Sequence, residues 1–173
     1  MTITIPSDIS GTILDIGGGG EGVISRIYGG NVITIDNSQQ ELDEAPDCCE
    51  KRLMDATNLD FPNCSFDNVT FFYSLMYMSK DAQAKAIGEV RRVLKPGGHV
   101  YIWDTNIHSA YPDPHIVDLD IVSDRMAIHV SYGIVKQETQ SCESILPILE
   151  SDGLKIQHVS RQSNQFFIRC KRL

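Results

Sequence analysis

The sequence lacks the features of membrane-spanning and exported proteins. Its 173 residues contain no apolar run of about 18 residues, the length that a membrane-spanning helix needs. The first residues carry neither the basic nor the apolar segment of an export signal, so we expect a cytoplasmic protein with no membrane partner. A length of 173 residues is close to that of one domain, and we expect residues 1–173 to form a single one.

Positive charge and paired cysteines are also scarce. There are 15 Lys and Arg against 23 Asp and Glu, a net charge of −8. Binding to a phosphate backbone needs clustered basic residues, so this balance argues against a nucleic-acid partner.

The five cysteines are odd in number and form no Cys-x-x-Cys pair. We therefore predict reduced thiols, no disulfide framework and no metal site.

What the sequence does contain is an alternation of strand and helix patterns. Residues 13–16 are a short apolar run, residues 17–22 are rich in glycine, residues 23–28 have apolar side chains at helical spacing, and residues 31–36 are β-branched. This order predicts a right-handed strand–helix–strand unit with a tight glycine turn after its first strand.

The same alternation continues along the chain. Further helices are predicted for residues 39–45, for residues 79–95 and for residues 139–149, where we expect Pro147 to kink or shorten the helix. Further strands are predicted for residues 51–55, 68–72, 99–104, 154–159 and 166–170. The pattern indicates an α/β protein with a Rossmann-like, doubly wound sheet of about seven strands, most of them parallel.

The glycine turn is compatible with two kinds of ligand. Gly17-x-Gly19-x-x-Gly22 matches the dinucleotide motif, and Asp36 follows at the distance expected for a carboxylate that binds a ribose hydroxyl. The motif alone is weak, and such a carboxylate binds the ribose of any adenosine nucleotide. An NAD-binding oxidoreductase therefore remains an alternative at this point.

Three segments favour a different nucleotide. Residues 14–19 (Leu-Asp-Ile-Gly-Gly-Gly) resemble the first motif of the class I S-adenosylmethionine-dependent methyltransferases. Residues 65–67 (Ser-Phe-Asp) and residues 94–98 (Leu-Lys-Pro-Gly-Gly) are similar to two further segments of that family, in the same order. The resemblance covers about residues 12–104, and it implies an antiparallel strand at the C-terminal end of the sheet.

The resemblance also implies which residues bind S-adenosylmethionine. Asp36 would bind the two ribose hydroxyls, Asp55 would accept from the adenine amino group, and the Ala56 N–H would donate to the ring. A sulfonium attracts aromatic faces, for which Tyr73, Tyr77 and Trp103 are candidates. The full set of implied cofactor-binding residues is Asp15, Gly17, Gly18, Gly19, Asp36, Asn37, Asp55, Ala56 and Phe72.

The implied activity is methyl transfer from S-adenosylmethionine to a small-molecule acceptor. An alternative is a catalytically inert S-adenosylmethionine-binding subunit of a larger complex. His108, His115 and His129 are candidates for a base, but a single histidine is more often structural, so we name no catalytic residue.

Residues 105–140 depart from the family pattern and alternate at strand spacing. Residues 117–122 and 126–135 predict a β-hairpin, and an isolated hairpin is only marginally stable in water. We expect it to cover the acceptor site, with contacts from Tyr111, His115 or Tyr132. The other option is that its free edge pairs with a second subunit in a homodimer.

Overall fold

The structure is a computed structural model that describes residues 1–108 and 111–173. The expected segment 105–140 is therefore described except for residues 109–110. The strands of the described residues are β1 (Thr2–Thr4), β2 (Ile13–Ile16), β3 (Val32–Asp36), β4 (Glu50–Leu53), β5 (Phe66–Phe72), β6 (Leu94–Thr105), β7 (His115–Val122), β8 (Ala127–Ile134), β9 (Leu154–Gln162) and β10 (Gln165–Arg172). Their α-helices are α1 (Val23–Tyr28), α2 (Gln39–Glu44), α3 (Lys80–Val93) and α4 (Cys142–Ser151).

Seven of these strands form one sheet in the order β4-β3-β2-β5-β6-β10-β9. The first five pair in parallel, whereas β10 runs antiparallel to both of its neighbours. The predicted Rossmann-like, mostly parallel sheet with an antiparallel C-terminal strand is confirmed. Chain order changes direction at β2, the point at which such sheets bind ligands beyond their carboxyl ends.

Two hydrophobic cores lie on the two faces of this sheet. On one face, α3 and α4 contribute buried residues such as Val90 and Ile145, because their apolar side chains recur at helical spacing. On the other face, Ile24 of α1 packs in a cluster with Phe72 and Trp103. The sheet is therefore buried on both sides, as its continuous apolar strands require.

A second, three-stranded sheet shares the face that α1 covers. Its order is β1-β7-β8, with β1 parallel to β7 and β7 antiparallel to β8. Along β7 the apolar residues Val117, Leu119 and Ile121 are buried, and the alternating Asp118 and Asp120 are exposed. The hairpin thus lies against the main sheet through its apolar side, together with a strand that the sequence pattern did not predict.

The last helix differs from its prediction. It begins at Cys142, where Ser141 caps it and Ser144 completes a capping box, rather than near residue 139. Pro147 lies inside the helix, which continues to Ser151. Of the two expected effects of Pro147, a kink or a shorter helix, shortening is not observed, because Leu149 beyond it is fully buried and anchors the last turn. No helix of the described residues is long and apolar enough to cross a membrane.

Candidate active site

The carboxyl ends of β2, β3, β4 and β5 open onto one cleft of about 1200 Å³. All nine residues that the sequence predicted as cofactor contacts line this cleft. They converge because each follows, or closes, one of four neighbouring parallel strands. Residues 131–133 of β8 form a further part of its wall.

The loop after β2 packs so closely on neighbouring residues that Gly18 and Gly19 leave no room for a side chain. Gly17 has φ of +70°, a conformation that favours glycine. A Cβ atom at Gly18 would lie 2.0 Å from Oδ2 of Asp15, and one at Gly19 would lie 2.5 Å from Cβ of Glu41. The backbone N–H groups of Gly17 and Gly18 donate to the Ile35 carbonyl at 2.8 and 3.2 Å, which fixes the loop to β3.

Asp15 is a buried carboxyl group beneath this loop. Its Oδ1 accepts from Thr70 at 2.6 Å and its Oδ2 from Thr34 at 3.3 Å. Burial raises its pKa to about 6, although both hydroxyl hydrogen bonds act in the opposite direction. Only 1% of the residue is exposed, so Asp15 supports the glycine loop from below.

Asp36 is anchored at the end of β3. Its Oδ2 accepts from the N–H of Gly19 at 3.3 Å, and its Oδ1 accepts from the N–H of Ser38 at 2.9 Å. Ser38 also caps α2 by accepting from the N–H of Glu41. The carboxylate is thus held in one orientation at the cleft wall, with the exposed Asn37 beside it.

Asp55 and Ala56 follow β4. The Oδ1 of Asp55 accepts from both the N–H and the hydroxyl of Thr57 at 2.8 Å, and these hydrogen bonds lower its pKa. Ala56 is buried beside this exposed carboxylate. The pair offers an ionised acceptor and a backbone edge to a ligand in the cleft.

An aromatic group begins at the end of β5. Phe72 is 7% exposed, and its ring centroid lies 6.4 Å from that of Tyr132 on β8. Tyr132 stacks on Tyr73 at 5.5 Å. Tyr77 is 51% exposed, and its hydroxyl lies 3.4 Å from the Gly133 carbonyl oxygen, to which it donates. Hairpin and main sheet therefore meet at this end of the cleft.

The other candidates lie elsewhere. Trp103 is 3% exposed and packs in the core between Phe72 and Phe167. His115 contacts Thr105, and His129 pairs with a carboxylate on the exposed side of the hairpin. Among the described residues, the lining of the cleft contains no histidine.

Several residues that line the cleft were not predicted from the sequence, among them Ser74, Ser131 and Gly133. Ser74 follows β5 directly, so its position at a strand end was an available signal. Ser131 and Gly133 carry no such signal, since their contribution depends on how the hairpin lies on the sheet.

Comparison with known proteins agrees with this geometry. Residues 14–102, more than half of the chain, match the model of a family described as "Methyltransferase domain". A ubiquinone/menaquinone biosynthesis C-methyltransferase from Ralstonia pickettii is 47% identical over 51 residues. That match spans 29% of this chain but only 20% of the length of the relative.

Solved structures share the fold over nearly the whole chain. A protein from Pyrococcus horikoshii aligns with a TM-score of 0.70 and 16% identity, over 95% of this chain and 84% of its own. An S-adenosylmethionine-dependent methyltransferase from Mesorhizobium loti aligns with a TM-score of 0.66 and 18% identity, over 93% and 90% of the two chains. The chain belongs to the class I S-adenosylmethionine-dependent methyltransferases.

Proposed function

We propose that the chain binds S-adenosylmethionine along this cleft and transfers its methyl group to a small-molecule acceptor. The observation that carries the proposal is the fixed carboxylate of Asp36 beside a loop that excludes side chains. Asp36 would accept from both ribose hydroxyls, and Asp55 with Ala56 would bind the adenine edge. The methionine portion would lie along the backbone of Gly17, Gly18 and Gly19.

The residues present fit this cofactor. Gly18 and Gly19 let the loop pack directly on Asp15, Thr34 and Glu41, where a Cβ atom would clash, and the backbone of the loop lines the cleft. Asp36 is oriented by hydrogen bonds to both of its carboxylate oxygens and Asp55 by two hydrogen bonds to Oδ1, and both residues line the cleft. The aromatic faces of Phe72 and Tyr77 suit a sulfonium through cation–π attraction.

The bound cofactor supplies an electrophilic methyl group on a positively charged sulfur. The chain contributes position, which is the main demand of an in-line displacement. Asp36 and the glycine loop would hold the ribose and the methionine portion of the donor, and Phe72 with Tyr132 would exclude water beside it. The residues that line the cleft would orient the donor so that its methyl group faces the acceptor.

Several observations support a small molecule rather than a nucleic acid. Seven carboxyl groups but only Arg26 and Lys85 line the cleft. A phosphate backbone would meet repulsion there.

All five cysteines are free, which is consistent with the proposed cytoplasmic location.

Thermal unfolding with S-adenosylhomocysteine or NAD tests the cofactor. A ligand at 100 times its Kd that binds only the folded state stabilises it by about 2.7 kcal/mol. For a protein of this size we expect S-adenosylhomocysteine to raise Tm by roughly 5–10 °C and NAD to leave it unchanged. The opposite order of the two shifts would refute the proposal.

The Asp36→Ala variant tests the site. We expect it to lose most of the shift with S-adenosylhomocysteine, whereas Asp60→Ala, an exposed carboxylate outside the cleft lining, retains it. Formation of S-adenosylhomocysteine in a screen of small-molecule acceptors then tests transfer. Cofactor binding without turnover of any acceptor would favour the inert-subunit alternative.

A further inference from the structure

The aromatic end of the cleft is built differently from its nucleotide-binding part. Phe72 and Tyr132 form a wall with ring centroids 6.4 Å apart, and the half-exposed Tyr77 stands beside them. The Tyr77 hydroxyl donates to the hairpin at Gly133, so its ring is held by its outer end. The Phe72 and Tyr132 rings meet edge to face at 72°, so this end of the cleft is lined by aromatic carbon.

The neighbouring charges that raise the pKa values of the two tyrosines of this wall are negative. Burial raises the pKa of Tyr132, and so does the charge of Glu21. Burial raises the pKa of Tyr77 as well, with a further contribution from the charges of Asp104 and Glu41. Glu21 and Glu41 both line the cleft, so they would repel an anionic group placed near these rings.

The nearby cations are engaged elsewhere. Arg26 donates from Nε to the Glu21 carbonyl at 2.7 Å, and the charge of Lys85 acts on Asp55. Lys136 donates to the carbonyls of Met76 and Met78 and does not belong to the cleft lining. In the described residues, the hydrogen bonds of Arg26 and Lys136 thus go to backbone carbonyls and not to the aromatic wall.

One polar group at this end has no partner. The Oγ of Ser74 is buried and makes no hydrogen bond to any described residue, although Ser74 lines the cleft next to Gly17. A buried hydroxyl without a partner is unfavourable, and a polar group of a ligand would satisfy it.

We propose that this end of the cleft is the acceptor subsite and that it takes a small aromatic molecule without an anionic group. Phe72, Tyr77 and Tyr132 contact the ring, and Ser74 bonds to a polar substituent. The inference rests on the proposed function, because the acceptor must lie beside the bound methyl donor.

Binding of three matched phenols to the complex with S-adenosylhomocysteine tests the subsite by ligand-observed saturation-transfer NMR. The probes are p-cresol, tyramine and 4-hydroxybenzoate, which share a phenol ring and differ in the charge of one substituent. We expect p-cresol and tyramine to bind about tenfold more tightly than 4-hydroxybenzoate, because its carboxylate would be desolvated among carboxyl groups. Equal or tighter binding of 4-hydroxybenzoate, or binding of none of the three, would overturn the inference.

Variants of Tyr77 test whether the phenols bind at the aromatic end of the cleft. Tyr77→Ala should weaken p-cresol binding about fivefold, in keeping with the usual strength of aromatic contacts, whereas Tyr77→Phe keeps the ring and should bind as the wild type does. Leu53→Ala, which removes a comparably exposed side chain outside the cleft, is the control. Equal binding by all variants contradicts the subsite. The thermal shift with S-adenosylhomocysteine is recorded on the same samples, so failure of the cofactor site is seen separately.

Discussion

Asp104 is a fully buried carboxyl group at the end of β6 that holds a neighbouring turn. Its Oδ2 accepts from the N–H of Met76 at 3.2 Å, and its Oδ1 accepts from Thr105 and Gln140, both at 2.8 Å. Gln140 in turn accepts from Gln83 at 2.6 Å. The turn at Leu75–Tyr77, which carries a wall of the cleft, is thus fixed by a buried polar network.

The titration of Asp104 makes a prediction about stability. Burial raises its pKa from 3.8 to about 7, so the folded state binds the proton more tightly than the unfolded state. Its contribution to stability is therefore largest at low pH and is lost as pH rises toward 7. Relative to Asp104→Asn, which does not titrate, the wild type should lose about 2 kcal/mol between pH 5 and pH 8.

Urea unfolding of both proteins at the two pH values measures this difference. Groups whose pKa is lowered on folding, such as Asp67, are present in both proteins and cancel. A free-energy difference between the two proteins that stays constant with pH would contradict the titration.

The buried hydroxyl of Ser74 gives a second prediction at this scale. Ser74→Ala removes a polar group that has no partner among the described residues. We expect the unliganded variant to be more stable than the wild type by about 1 kcal/mol. A loss of stability in thermal unfolding would mean that the hydroxyl is already satisfied in solution.

Among the elements, β7 contributes to the core through alternate side chains. Leu119 is fully buried in the cluster with Trp103, whereas Ile116 on the same strand is 53% exposed. Leu119→Ala should cost about 3 kcal/mol of unfolding free energy, and Ile116→Ala should stay within about 0.5 kcal/mol. Similar costs for the two substitutions, measured by chemical denaturation, would show that the hairpin does not lie on the sheet in solution.

Elements with many periodic residues could be predicted from the sequence, and those defined by distant contacts could not. α3 has a Ser79 cap and a full apolar stripe, and it begins where the pattern predicts. β1 has three residues, Thr2–Thr4, too few to show a period, and it exists because β7 offers a free edge. The start of α4 depends on the Ser141–Ser144 capping pair rather than on apolar spacing.

The candidate site likewise contains residues that could be predicted from the sequence and residues that could not. The residues proposed to bind the nucleotide could be named because each lies at or just beyond the carboxyl end of a parallel strand, and such ends meet at one edge of a sheet. Tyr132 was one of three options on the hairpin, and only the packing of β8 brings it, rather than Tyr111 or His115, to the cleft. The orientation of one sheet on another leaves no local pattern in the sequence.

At the scale of the whole molecule, the two cores share one sheet, so we expect them to unfold together. Trp103, the single tryptophan of the chain, lies in the core under the second sheet, whereas α3 and α4 cover the opposite face. We expect tryptophan fluorescence and far-ultraviolet circular dichroism to give coincident urea transitions. An earlier fluorescence transition would show that the second sheet detaches separately.

The position of β10 has a consequence for synthesis of the protein. This strand lies inside the sheet, between β6 and β9, yet it is made after the nine other strands of the described residues. β6 ends at Thr105 and β10 begins at Gln165, so one edge of β6 stays unpaired while the next 60 residues are synthesised. At ribosomal rates of about 5–20 residues per second, that edge stays open for roughly 3–12 s. During this interval the nascent chain presents an unpaired strand to its neighbours, and protection by a chaperone would matter most before Gln165 emerges.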